Sequence, residues 1–351
     1  MDFTAINNSI PAPDAAAAKL CRAKWDAVAK PLGSLGLLED AVAQIAALRG
    51  DPDVRLRRRA ALVLCADNGI VAEGVTQTDA SVTMAVARNL TKKQTSVCIM
   101  ARAANCEVFP VDMGMLTEPD FDGMLSYRLG GGTANFTRGA AMTRETAERG
   151  VAYGIELAGD MRSRGFDILA TGEMGIGNTT TSSAVCSVLL DVPPETVTGR
   201  GSGLSDEGLA RKIAAVKRGI ATNRPNLGDT VGALAAVGGF DLAGMAGIFI
   251  GGARCGVPVL VDGFISAVAA LIAVRLCPRA RSAVMASHVS AEPAGSLVLD
   301  ALGLKPLITA GMRLGEGTGA VAALPLLDLA LAVYCGGSSF EDIGVEAYTP
   351  I

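Results

Sequence analysis

The chain has 351 residues, a length that accommodates about two domains around one large core. Half of the residues are apolar, only 4% are aromatic, and the formal net charge is −4. This composition excludes a nucleic-acid-binding surface, which needs basic charge and aromatic stacking platforms. The single histidine also excludes metal sites that need two histidine ligands.

The cysteines and the apolar stretches predict a cytoplasmic protein without a membrane partner. Eight cysteines are scattered along the chain without a CxxC pair, which is typical of free thiols in a reducing compartment. The first twenty residues lack the basic segment and apolar block of a secretory signal. Charged residues divide the most apolar stretch into segments shorter than the ~20 residues of a membrane span. They are Asp241, Arg254, Asp262 and Arg275.

The order of apolar segments predicts an α/β fold. After a helical region at residues 14–48, short apolar runs alternate with longer stretches of helical pattern. Such alternation is typical of a mostly parallel, Rossmann-like sheet with helices on both faces. The candidate strands are residues 61–67, 106–112, 166–173, 257–263 and 282–288.

Each candidate strand runs into a polar residue. These residues are Asp67, Asp112, Glu173, Asp262 and His288. Because parallel strands share a direction, we expect the polar side chains at one edge of the sheet, where open α/β sheets bind ligands. For Asp112 and Asp262 taken singly, capping of the following helix is the favoured interpretation. The five together favour a cleft.

A first glycine loop, at residues 171–184, follows a predicted strand and precedes a predicted helix. Gly175 and Gly177 permit a tight turn, and Asn178 and Thr179 place donors at a helix start that favours a phosphate. The segment matches neither Walker A nor GxGxxG. A plain glycine turn with an ordinary N-cap is the alternative, although capping alone does not explain Glu173.

A second glycine loop, at residues 198–212, also precedes a helix, for which Ser205 and Gly208 predict a capped start. Lys212 lies about one turn inside that helix. A lysine there either reaches a phosphate or is solvated on the helix surface, and the residue pattern leaves both open.

Two further segments contain candidate site residues. Glu316 stands between Gly315 and Gly317 at a predicted helix start, a surrounding that fits a general base or a capping glutamate, and we favour the base. In the segment 287–293, a nucleophilic triad is disfavoured because the G-x-S-x-G turn is missing. There we interpret Ser290 as a ligand donor and His288 as a structural imidazole.

These motifs resemble those of the nicotinate-nucleotide:dimethylbenzimidazole phosphoribosyltransferase family. The sequences GEMGIGNTT and RLGEGTGA are the most specific, and the matches run in the family's order from about Lys30 to Ala320. The matching segments are residues 30–39, 66–75, 132–136, 172–180, 259–265, 287–293 and 313–319.

The resemblance implies a phosphoribosyl transfer from nicotinate mononucleotide to a lower-ligand base such as 5,6-dimethylbenzimidazole. The products would be an α-ribotide and nicotinate, formed with inversion at C1′ and without a metal or a cofactor. It also implies a homodimer. The fold it implies is a large parallel α/β domain at residues 51–319 and a small helical domain at residues 1–50 and 320–351.

The same resemblance implies the roles of individual residues. Glu316 corresponds to the catalytic glutamate, which accepts a proton from the incoming base. Substrate-binding positions correspond to Glu173, Gly175, Gly177, Asn178, Thr179, Gly201, Gly203, Lys212, Ser290, Leu314 and Gly315.

The chain departs from the family in the region nearest the acceptor base. Asn68 replaces the family's usual histidine, residues 92–97 replace a small Gly-Gly-Ala-Ala segment, and the stretch containing Ser81 and Met84 lacks the usual glutamine. The acceptor therefore remains open between benzimidazole, purine and phenolic rings. A subunit of a heteromeric transferase, active only with a paralogue, is the alternative function.

Overall fold

The computed structural model describes residues 1–348. The strands are β1 (Arg59–Ala66), β2 (Glu107–Gly114), β3 (Leu125–Ser126), β4 (Ile168–Met174), β5 (Val259–Val261) and β6 (Val284–Ala286). The helices are α1 (Phe3–Ser9), α2 (Ala15–Ala27), α3 (Leu37–Arg49), α4 (Ser81–Thr91), α5 (Ser96–Ala103), α6 (Arg144–Ser163), α7 (Asn178–Leu190), α8 (Pro194–Val197), α9 (Asp206–Asn223), α10 (Thr230–Val237), α11 (Phe240–Cys255), α12 (Phe264–Leu276), α13 (Gly295–Ala301) and α14 (Thr318–Gly336).

The six strands form one parallel sheet in the order β3-β2-β1-β4-β5-β6, which confirms the predicted α/β class. The order reverses between β1 and β4, and such a switch point is where open α/β sheets leave a crevice for a ligand. Every strand of the sequence prediction is present. The two-residue strand β3 was not predicted, because its sequence has no apolar run.

The register places the polar strand ends at one edge of the sheet. Leu64 of β1 pairs with Glu173 of β4, and Cys65 pairs with Asp112 of β2. On the other side of β4, Val261 pairs with Ala286, so the polar residues that follow β5 and β6 reach the same edge.

Close helix packing explains a large core with few aromatic residues. Helix α11 is buried over almost its whole length and packs against α6. A Cβ on Gly154 would lie 2.0 Å from the carbonyl oxygen of Gly244, and a Cβ on Gly247 would lie 2.1 Å from that of Val151. Small residues therefore bring the two helix backbones together, and the core is filled by aliphatic side chains.

Helices α2 and α3 pack with α14 on the opposite face of the sheet. The rings of Trp25 in α2 and Tyr334 in α14 have centroids 5.0 Å apart, and the Tyr334 hydroxyl donates to the carbonyl of Pro52. The small helical domain of residues 1–50 and 320–351 stays a prediction: α2, α3 and α14 pack together, whereas α1 packs against α12 in the core on the other face. Residues 349–351 of that unit lie outside the described part of the chain.

Helix α14 is long and apolar enough to cross a membrane by these two criteria alone. In its most apolar window, 44% of the residues are buried inside the structure. Core helices of soluble proteins meet the same criteria, so the helix is weak evidence for a membrane span.

Candidate active site

A cavity of about 390 Å³ opens at the carboxyl ends of β4, β5 and β6, beside the point where the strand order reverses. Its wall brings together most of the residues that the sequence predicts for the site. These are Glu173, Gly175, Gly177, Asn178, Thr179, Gly201, Lys212, Ser290, Leu314, Gly315 and Glu316.

Glu316 lies in a turn of left-handed backbone that aims its side chain at the start of α5. Its φ is +60°, and Gly315 and Gly317 on either side have φ of +88° and +94°. The carboxylate accepts a hydrogen bond of 3.1 Å from the backbone N–H of Val97. Burial raises the pKa of Glu316, and the bond from Val97 opposes that rise by favouring the ionised form.

The carboxylate of Asp262 stabilises this turn through hydrogen bonds. Its carboxylate accepts backbone N–H groups from Gly317 at 3.2 Å, Gly319 at 2.7 Å and Ala320 at 3.1 Å. Asp262 therefore caps α14, whereas α12, which directly follows it in the chain, begins after Gly263 without a side-chain cap. The interpretation that Asp262 and Asp112 cap the helices that follow them is wrong: Asp262 caps a helix distant in sequence, and Asp112 accepts the backbone N–H groups of Gly114 and Met115 at the end of β2.

Strand β4 approaches the same turn so closely that only glycine fits at position 172. A Cβ built on Gly172 would lie 2.4 Å from the carbonyl oxygen of Glu316. The Glu316 backbone is thus held between β4 and the Asp262 carboxylate. The Glu316 side chain is the part of this residue that can move when a ligand binds.

Three buried polar side chains, two of them in the cavity wall, form a network. The amide of Asn178 donates to the carboxylate of Glu173 and, at 3.2 Å, to that of Asp241. Burial and the neighbouring Asp241 carboxylate raise the pKa of Glu173 to about 8, and burial raises that of Asp241 to about 6. Glu173 is therefore mostly protonated and neutral at pH 7.

Lys212 supplies a buried cation at the other end of the cavity. The side chain is fully buried, and Nζ donates to the Thr179 hydroxyl at 2.7 Å and to the Gly199 carbonyl at 3.0 Å. Burial lowers its pKa to about 8. The backbone of Gly201, with φ of +54°, passes next to both side chains. The interpretation of Lys212 as a solvated surface lysine is wrong.

Gly203, Ser81 and Met84 lie outside the cavity wall. Gly203 lines an adjoining groove of about 520 Å³ that shares Gly201 with the cavity. Ser81 is exposed at the start of α4 and bonds to Asp79, and Met84 is half-buried against the core. The contribution of α4 to an acceptor site stays a prediction.

The comparisons with known proteins agree over nearly the whole chain. A family model described as Phosphoribosyltransferase matches residues 10–345. The nicotinate-nucleotide–dimethylbenzimidazole phosphoribosyltransferase of Acetivibrio thermocellus is 44% identical over 327 residues, 93% of each chain. That of Ruminiclostridium cellulolyticum is 40% identical over 351 residues, the full length of both chains. The crystal structure of CobT from Thermus thermophilus has a TM-score of 0.90 at 40% identity, covering 95% of this chain and 100% of that one.

This chain belongs to the nicotinate-nucleotide–dimethylbenzimidazole phosphoribosyltransferase family. It is accordingly a pentosyltransferase, and the resemblance seen in the sequence motifs is confirmed. The full-length matches also confirm the α/β architecture as the family fold.

In this member of the phosphoribosyltransferase family, Asn68 takes the place where the resemblance predicts histidine. Its amide donates to the carbonyl of Ile176 at 3.3 Å, which ties the end of β1 to the first glycine loop. Its carbonyl oxygen is buried without a partner among the described residues. Asn68 thus supports the wall of the cavity from behind and does not line it.

The cavity of this phosphoribosyltransferase also contains residues to which the sequence analysis assigned no substrate-binding or catalytic role. They are Val75, Thr76, Met174, Ile176, Arg200, Ser202, Leu204, Asp262, Gly263, Phe264, Ile265, Ser266, His288, Glu292 and Arg313. Most lie within the glycine loops and matching segments named above, where the sequence pattern offers no reason to select them individually. The polar strand ends were the one signal that pointed to Asp262 and His288.

Proposed function

We propose that this enzyme transfers the phosphoribosyl group of nicotinate mononucleotide to 5,6-dimethylbenzimidazole or a related base, with Glu316 as the proton acceptor. The products are an α-ribotide and nicotinate. The observation that carries the proposal is one cavity with a buried cation, Lys212, and a carboxylate aimed by backbone contacts, Glu316.

The phosphate of the nucleotide would bind at the Lys212 end. The ammonium, the Thr179 hydroxyl and the glycine backbone at position 201 offer a charge and donors to a dianion. A phosphate there raises the pKa of the ammonium back toward its ordinary range, because the opposite charge favours the charged lysine.

The bond change at C1′ needs no acid. When the bond between C1′ and the pyridinium nitrogen breaks, its electron pair returns to that nitrogen, and nicotinate leaves with a neutral ring. A ring nitrogen of the acceptor attacks C1′ from the opposite face, so the β-nucleotide gives an α-product. Alignment of the two rings in one cavity supplies much of the acceleration.

The proton on the other ring nitrogen of the acceptor goes to Glu316. General bases of this kind contribute about 10²–10⁴-fold in rate. Glu173 does not compete for this role at pH 7, because its pKa of about 8 leaves it mostly protonated. The bond from Val97 opposes the rise in the pKa of Glu316 that burial causes, which favours the carboxylate form.

The test is an assay of the purified chain alone with nicotinate mononucleotide and a panel of acceptors. Benzimidazoles, adenine and phenols are compared, and mass analysis with NMR of the anomeric position distinguishes N- from O-ribosides and α from β. An α-N-riboside of a benzimidazole supports the proposal. Absence of any product, restored by a second subunit, supports the heteromeric alternative.

We also propose that the enzyme is a cytoplasmic homodimer. The eight cysteines are all free, which suits a reducing compartment. Large exposed apolar side chains collect on the chain-end helices and the segment after them, including Leu20, Leu329 and Ile343. Sedimentation of the wild type and of Leu329→Glu tests whether a second copy of the chain covers this surface. A wild-type mass of one chain contradicts the homodimer.

A further inference from the structure

His288 is the one histidine of the chain, and the mechanism above gives it no role. Its side chain is 3% exposed and follows β6 at the sheet edge. The ring packs on the first turn of α14, where a Cβ on Gly319 would lie 1.9 Å from Nδ1. The imidazole nevertheless forms part of the cavity wall.

The hydrogen bonds of Ser287 determine which ring nitrogen carries the proton. The Ser287 hydroxyl donates its one hydrogen to the carbonyl of Val261 at 2.5 Å. In the 3.1 Å contact between Ser287 Oγ and His288 Nδ1, the ring nitrogen must therefore be the donor. Burial lowers the pKa of His288 although the Asp262 carboxylate opposes this, so the neutral ring carries its proton on Nδ1.

The other nitrogen, Nε2, is then an acceptor without a partner among residues 1–348. Nε2 and Cε1 are each 3.8 Å from a Cβ built on Gly263, and Ser290 Oγ is 3.7 Å from the same point. Because Gly263 has no side chain, the cavity wall has a space at this position. The Nε2 acceptor of His288 and the hydroxyl of Ser290 both border it. An acceptor that faces the cavity in this way is satisfied by water until a ligand supplies a donor.

We propose that His288 binds a ribose hydroxyl of the nucleotide substrate through Nε2, with Ser290 beside it. The inference rests on the proposed function, since nicotinate mononucleotide offers hydroxyl donors only on its ribose at neutral pH. The acceptor's N–H, the other donor in the reaction, is already assigned to Glu316. His288 thereby fixes the rotation of the sugar and, with it, the direction in which C1′ faces.

Two isosteric variants separate this role from a structural one. In His288→Gln the amide oxygen can occupy the place of Nε2, whereas in His288→Asn the amide can replace only the Nδ1–H donor to Ser287. We expect His288→Asn to raise KM for nicotinate mononucleotide about tenfold, with kcat within about threefold, because one buried hydrogen bond is lost. His288→Gln should stay within about threefold of the wild type in KM.

Deoxy nucleotides identify the partner. The wild type should bind either 2′-deoxy or 3′-deoxy nicotinate mononucleotide more weakly than the parent compound, and His288→Asn should no longer distinguish that analogue. Calorimetric binding without an acceptor base gives this readout without turnover. Loss of wild-type turnover would contradict the proposed function, whereas intact turnover with unchanged discrimination in His288→Asn would contradict only the role of His288.

A further measurement needs no variant. Because the chain has one histidine, ¹⁵N-histidine labelling gives the signals of a single imidazole. We expect the Nδ1–H tautomer in the free enzyme and a shift of the Nε2 resonance on saturation with nicotinate mononucleotide. The proposal is overturned if the Nε2 resonance does not shift. It is also overturned if His288→Asn is tolerated and His288→Gln is not, or if the variants lower kcat alone.

Discussion

The carboxylate of Glu316 accepts its hydrogen bond from the backbone N–H of Val97, a residue 219 positions earlier in the chain. The contact joins the start of α14 to the start of α5. Because it favours the charged form, it opposes the rise in the pKa of Glu316 that burial causes, and it fixes the direction of the carboxylate.

Glu316→Gln should lower kcat by about 10²–10⁴-fold, because the amide has nearly the same shape but cannot accept the acceptor's proton. The free energy of unfolding should change little. Steady-state rates and denaturant unfolding check both statements. The exposed Glu341→Gln is the matched control, and full turnover in Glu316→Gln would remove Glu316 from the mechanism.

Gly172→Ala should displace the Glu316 turn, because its Cβ would lie 2.4 Å from the Glu316 carbonyl oxygen. We expect a loss of about 1–3 kcal/mol in unfolding free energy. A displacement of about 1 Å at the proton acceptor would lower kcat about 10²-fold. Gly159→Ala, in open space within α6, should gain about 0.5–1 kcal/mol and keep its rate. Equal behaviour of the two variants would contradict the close contact.

Asp262→Asn should affect both stability and rate. The amide NH₂ cannot accept the N–H groups of the α14 start, so about 1–3 kcal/mol of unfolding free energy is lost, and Glu316 loses its support. Asp112→Asn is the control, because Asp112 also accepts buried N–H groups but lies outside the cavity. A fall in kcat in both variants would show that the rate follows general stability.

The affinity of the free enzyme for nicotinate mononucleotide should fall as the pH rises through about 8, because Lys212 has a lowered pKa of about 8 and loses its charge above it. Lys212→Met should weaken binding about 10–150-fold, the loss of a hydrogen bond to a charged group. It should also remove this pH dependence. Calorimetric titrations between pH 7 and pH 9 measure both effects. Lys217→Met, on the exposed face of the same helix, should bind as the wild type does.

Much of the sheet could be predicted from the sequence. Each apolar run that ends in a polar residue became a strand with that residue at the carboxyl edge, because a buried parallel strand needs an apolar sequence over its whole length. Strand β3 could not be predicted, because two residues are too few to show a hydrophobic pattern. Its pairing is set by the neighbouring Val111 and Asp112.

The site was less accessible to sequence reasoning wherever burial depends on distant packing. Lys212 lies on an amphipathic helix, and only the approach of the loop at Gly199 reveals that its side chain is enclosed. Asp262 caps a helix that starts 56 residues later, a partner that no local rule selects. The resemblance, by contrast, identified the loops of the site because they retain their glycines.

The donor that holds Glu316 is a main-chain group, and every amino acid except proline supplies it at position 97. The hydrogen bond to Glu316 therefore depends on the course of the backbone at the start of α5 and not on the identity of the side chain at position 97.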